Sequence, residues 1–160
     1  MSPSASSRGV TPVVGVVVLL AVTVALGGVV GAALFDAAST PTDAPTAALS
    51  LSATENRVTL SHRGGDVLDV RTLELRVAVD GTPLDEQPPV PFFAAAGFEP
   101  GPTGPFNAAT DGEWSAGETG SFAVAGTNRP RVAPGSRLSV TVYAAEVPVA
   151  RLSTTVSEAS

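Results

Sequence analysis

A chain of 160 residues with a net charge of −6, fifteen acids against nine arginines and no lysine, is not one that works by neutralising phosphate, because an acidic surface repels nucleic acid. Cysteine is absent, so neither disulfides nor thiolate metal sites hold the fold. With one histidine in the whole sequence, a serine or threonine nucleophile finds very few activating bases, and the composition speaks against an enzyme.

Residues 1–9 are short, polar and rich in small side chains, with Arg8 their only charged side chain. Residues 10–35 then run without a charge, up to Asp36. As a helix rising about 1.5 Å per residue, this stretch reaches roughly 39 Å, longer than the ~30 Å hydrocarbon core of a bilayer. Fourteen Val, Leu or Phe residues lie between Val13 and Phe35, and at about −0.3 to −0.6 kcal/mol each they favour membrane by roughly 4 to 8 kcal/mol. An apolar core this long exceeds that of a secretory leader and predicts a retained helix, although small residues around Val30, Gly31 and Ala32 leave secretory cleavage open. Arg8 before the run and Asp36 after it put the N-terminus in the cytoplasm and the rest outside. Ala21, Ala25, Gly28 and Ala32 fall on one helical face, with Gly27 and Gly31 as a GxxxG beside them. Such residues let helices approach closely in an apolar medium. The alternative is that alanine and glycine are simply abundant throughout this chain.

The segment RGVTPVVGV at 8–16, continued by VVLLAVTVALGGVVGAAL, resembles the N-terminus of archaeal type IV pilins, above all the haloarchaeal ones. There a basic and a small residue precede V-[ST]-P-V-[IV]-G-V, and a long apolar helix with an A-x-T-V run follows, as at 21–24 here. The resemblance implies a class III signal peptide over 1–9, cut by a prepilin peptidase between Gly9 and Val10, with Arg8 on the cytoplasmic side. It also implies a filament-core helix over 10–36, lipid around that helix before assembly, and other pilin subunits as partners afterwards. The glutamate that bacterial type IV pilins carry near the start of the mature helix is missing, so a bacterial-style assembly contact is not implied.

Two prolines and four Ser/Thr residues between Ala37 and Ala47 predict an extended spacer over 37–48, either bare or O-glycosylated. No N-x-[ST] sequon is present. From 49 to 160 the pattern is all β. Val58, Leu60 and His62 alternate with polar residues. So do Leu73, Leu75, Val77 and Val79, ahead of a turn at Asp80 and Gly81. Leu138, Val140 and Val142 repeat the pattern, with a partner strand over 147–156 beyond a turn at Ala145 and Glu146. With 49–53 and 121–125, six or seven short strands predict an immunoglobulin-like sandwich. The fold class is therefore one long apolar helix followed by an all-β domain. The stretch 88–120 is rich in proline and holds most of the aromatics, and it reads as a looser region.

Candidate chemistry is thin. His62 precedes paired glycines that predict a tight turn, and beside Asp66 and Asp69 it is either a hydrogen-bonded turn residue or a weak candidate base or metal ligand. Asp111, Glu113 and Glu118 could offer oxygens to Ca²⁺ but lack EF-hand spacing and otherwise read as a solvated loop. No metal or cofactor is expected. Two functions remain. One is a pilus subunit, displayed at the cell surface for adhesion in salty water. The other is a single-pass anchored β-sandwich that binds a partner.

Overall fold

The computed structural model describes residues 10–37 and 44–160, and in the first stretch it describes side chains over 11–26. The chain divides after Asp43 into two compact units.

In the first unit, helix α1 runs Val10–Ala37. Pro12 sits in its first turn, where a missing N–H costs nothing because no carbonyl precedes it to accept. Thr23, the one hydroxyl in the middle of the apolar run, donates to the carbonyl of Leu19 at 2.8 Å and so consumes its own polarity. The described side chains cover sixteen helical positions, fewer than the roughly 20 a bilayer needs. Among the described residues, therefore, no helix is long and apolar enough to cross a membrane.

The second unit, Ala44–Ser160, is built from antiparallel sheets. β1 (Ala47–Thr54), β2 (Arg57–Gly65) and β7 (Thr119–Ala123) form one, in the order β1-β2-β7. β4 (Leu73–Val79), β5 (Thr82–Pro83), β8 (Arg137–Ala144) and β9 (Val147–Thr155) form another, in the order β5-β4-β8-β9. β3 (Leu68–Asp69) and β6 (Glu113–Trp114) pair between them. The expected helix followed by a β-sandwich is what the chain forms. Three two-residue strands, hidden in turns, bring the described strands to nine.

Alternation decides which face is buried. Leu75, Val77 and Val79 stand opposite Val142, Val140 and Leu138, and all six are buried. From the other sheet Val58, Leu60 and Phe122 meet them in the same core. Asp80 and Gly81 turn β4 into β5 with positive φ at both residues, as do Ala145 and Glu146 between β8 and β9. That geometry matches the right-handed twist of the flanking strands. At the far edge Ser157 ties the two large sheets together: its N–H donates to Ala53 and its carbonyl accepts from Glu55, at 3.0 and 2.9 Å.

Two expectations are corrected. Gly64 and Gly65 do not turn the chain. They continue β2 opposite Ala48 and Ala47 across a bulge at Ala48/Leu49, where Gly65 takes φ +102°. The chain reverses only after them, at Asp66 and Val67. The stretch 88–120 is also far from loose. Phe92, Phe98, Phe106 and Trp114 are all buried, and the Phe106 and Trp114 rings meet edge to face at 5.1 Å. Backbone bonds hold this loop in place, Phe92 to Phe106 and Thr103 to Ser121 among them. Asn128, 2 % exposed, spans it: its amide donates to the carbonyls of Glu86 and Gly97, and its oxygen accepts from the N–H groups of Glu86 and Arg129.

Candidate functional site

The described part of α1 is apolar all round and uncovered. Leu19, Val24, Val16 and Leu20 are 68, 68, 66 and 65 % exposed, and no described side chain on the helix is buried. A solvated surface helix keeps a polar face, whereas a helix apolar on every side belongs in lipid or among other apolar helices. The described part of the helix is thus a surface that needs a partner or a bilayer, and its described residues show none of the convergence of polar groups that a catalytic centre requires.

Of the residues singled out in the sequence, Arg8 and Gly9 lie outside the described residues, and Val10 is the first helical residue. Ala21 and Ala25 are exposed. Gly27, Gly28, Gly31 and Ala32 have helical backbone, while their surroundings lie outside what is described. Gly15, one further small position, faces open space.

In the β domain the candidate polar residues have structural roles. His62 is 1 % exposed and sits in a strand. Its Nε2 donates to the backbone carbonyl of Asp66 at 2.8 Å, its ring meets Trp114 edge-on at 5.7 Å, and its Nδ1 has no hydrogen-bond partner among the described residues. Asp66 turns its carboxylate elsewhere: Oδ2 accepts from the N–H of Thr46 at 2.9 Å while its own N–H donates to the Thr46 carbonyl at 2.8 Å. This reciprocal pair fixes the chain where β1 begins. Asp69 receives Arg71 on both oxygens, at 2.9 Å from Nε and 3.1 Å from Nη2. The guanidinium holds this carboxyl below its ordinary range and is itself raised in return. Asp111 accepts from the N–H of Glu113, and Glu118 from that of Ser115, so both carboxylates cap turns. Among the described residues no group of three His, Asp or Glu side chains is arranged to hold a metal ion.

Some of the most consequential side chains escaped the sequence reading. Asn128 is one of them, bridging Glu86, Gly97 and Arg129. Gln87 went unremarked, yet its amide accepts from the N–H of Val77 and donates to that residue's carbonyl, closing the edge of β4 as a neighbouring strand would. Nothing in the local pattern marks either residue, because both act across loops distant in sequence.

The family model for the archaeal type IV pilin N-terminal region matches residues 8–49, a stretch that contains the whole exposed helix. No curated protein matches the chain. This N-terminal segment, with its apolar and exposed helix, is thus similar to that of the archaeal type IV pilins.

Proposed function

We propose that the protein is a structural subunit of an archaeal type IV pilus whose helix is released by cleavage at Gly9–Val10 and packs with the helices of other subunits, leaving the β domain outside to attach the cell to surfaces. What carries the reading is the exposure of α1 on every side within a segment matched to pilin N-termini. Before cleavage lipid surrounds the helix and Arg8 anchors its cytoplasmic end. Removal of nine residues takes that charge away, so the helix can leave the bilayer for an equally apolar bundle at low cost. Ala21, Ala25, Gly28 and Ala32 fall within an arc of about 60° on an ideal helix, and this narrow small-residue ridge is where a neighbouring backbone comes closest. Thr23 brings no unsatisfied hydroxyl into that bundle, since it bonds to Leu19.

The test is the mature N-terminus of protein isolated from filaments, which starts at Val10 on this reading. Gly9→Trp, or deletion of Arg8 and Gly9, blocks cleavage and filament formation and leaves a folded β domain in the membrane fraction. A sequence beginning at Met1 or Ser2 in the wild type would replace the filament subunit by an anchored binding domain. A start beyond Ala32 would make the protein secreted.

A further inference from the structure

The outward face of the four-stranded sheet carries a charge pattern opposite to that of the chain. Across β4, β8 and β9 the register places Arg76, Thr141 and Arg151 in one row, Glu74, Tyr143 and Pro148 in the next, and Ala78, Ser139 and Ser153 on the other side. Directly opposed residues point to the same face of a sheet, and neighbouring strands lie about 4.8 Å apart, so the two arginines flank Thr141 from either side at roughly 10 Å between backbones. Arg137 lies on the same face, opposite Thr155. Glu74 and, at the end of β4, Asp80 are the acids beside this set. In a chain of net charge −6, three of the domain's arginines therefore share one sheet face.

Arg76 borders a groove of about 440 Å³ lined also by Glu74, Gln87, Thr141 and Tyr143, with Pro83 and Leu84 in its wall, while Arg151 lies outside it on the far side of Thr141. That size is within the range of small-ligand sites. Tyr143, the only tyrosine in the sequence, supplies a ring, and the Arg76 guanidinium lies 5.4 Å from its centre. Nε of Arg76 is held by Glu74 at 2.7 Å, which orients the fork and leaves its Nη groups without a partner among the described residues. Arg151 has no ion pair or side-chain hydrogen bond there either.

We infer that this face binds an acidic polysaccharide, with a carboxylate or sulfate held by Arg76 and Arg151 and a sugar ring against Tyr143. An oriented guanidinium recognises such oxyanions in the plane of its fork, and the hydroxyls of Ser139, Thr141 and Ser153 match those of a sugar. A protein partner fits less well: protein interfaces are built around an apolar centre, and the exposed large apolar side chains among the described residues all lie elsewhere, on α1 and at Val67 and Phe93. The inference rests on the proposed role in surface attachment and gives that role a ligand class.

The experiment uses purified filaments and measures co-sedimentation with polygalacturonate, dextran sulfate and neutral dextran. Filaments bind at least one of the two acidic polymers, which tells carboxylate from sulfate, and do not bind dextran. The double variant Arg76→Gln/Arg151→Gln weakens this about tenfold, as expected when charge-assisted bonds are lost. Arg63→Gln/Arg131→Gln, which removes the same charge elsewhere, leaves it unchanged, and Tyr143→Leu weakens it while keeping the charge. Equal loss in both double variants, or wild-type filaments that bind neither polymer, overturns the inference and leaves the pilus reading intact. Failure of the Arg76/Arg151 variant alone to form filaments overturns it too, since the face would then be a contact between subunits. If instead no filaments exist and Met1 is retained, but the full-length chain in detergent binds in an Arg76- and Arg151-dependent way, the site stands and the pilus reading falls.

Discussion

The helix and the β domain use the same aliphatic residues to opposite ends. In α1 Leu19 and Val24 are each 68 % exposed, in a run without a charge or a polar face. In β4 Leu75 is 0 % exposed, and its neighbours Glu74 and Arg76 pair with each other in solvent. A strand that alternates carries its own boundary between core and water, whereas a helix apolar all round must borrow an environment from lipid or from other chains. The β domain is thus self-sufficient, and the helix is complete only in company.

The sharpest way to break this contrast is to delete matched atoms on the two sides. Leu75→Ala lowers the stability of the β domain by about 2 to 5 kcal/mol, read from chemical denaturation of the full chain in detergent, and Leu19→Ala leaves the same transition where it was. Next in size is Asn128→Ala, which removes a buried side chain's bonds to the backbone groups of Glu86 and Gly97 and costs about 1 to 3 kcal/mol. Its effect concentrates in the loop 84–118, as faster amide exchange there than in β8 will show. Salt separates the units again. Beyond Asp43 thirteen acids face eight arginines, so the melting temperature of the domain rises between about 0.1 and 1 M salt, as the screening length falls from about 10 to about 3 Å. The helix, whose one charged residue is Asp36, adds little to that rise, and equal melting at both concentrations would contradict it.

The smallest expected effect is that of Asp69. Its pKa is lowered in the folded state, first by the side-chain hydrogen bond from Arg71. The stability this pair contributes is therefore present above the ordinary carboxyl range and is lost as pH falls through the depressed folded value. Asp69→Asn removes that part of the acid dependence. Melting temperatures of variant and wild type differ slightly at about pH 5 and converge towards about pH 2.5. Both groups are solvent-exposed, which keeps the difference small.

What could be read from the sequence follows the same division. The uncharged run needed no neighbours to be recognised, and the alternation of β4 and β8 gave both the buried face and the strands, because period 2 is a local signal. The aromatic centre was not legible. Phe92 is buried and Phe93 beside it is 59 % exposed, a difference set by the backbone pairing of Phe92 with Phe106 and Asn107 and by no local pattern. Gly64 and Gly65 misled because positive φ serves a bulged strand as well as a turn. His62 followed the alternation into the core, although its neighbours suggested a turn. The row of Arg76, Thr141 and Arg151 exists only once β4, β8 and β9 are aligned, so its three residues carry no shared signature in the chain.

The Asp66–Thr46 pair has a mechanical meaning. If the protein serves in a fibre as proposed, load would reach the β domain along the chain that precedes β1, and the first bonds it would meet are the two between Asp66 and Thr46. Only after they part does force act on the β1–β2 ladder, beginning at Ala47 and Gly65. Because one of the two is held by a carboxylate, half of this grip depends on a single side chain. Asp66→Ala would let the outermost rung fray at lower force while the aromatic core stayed whole.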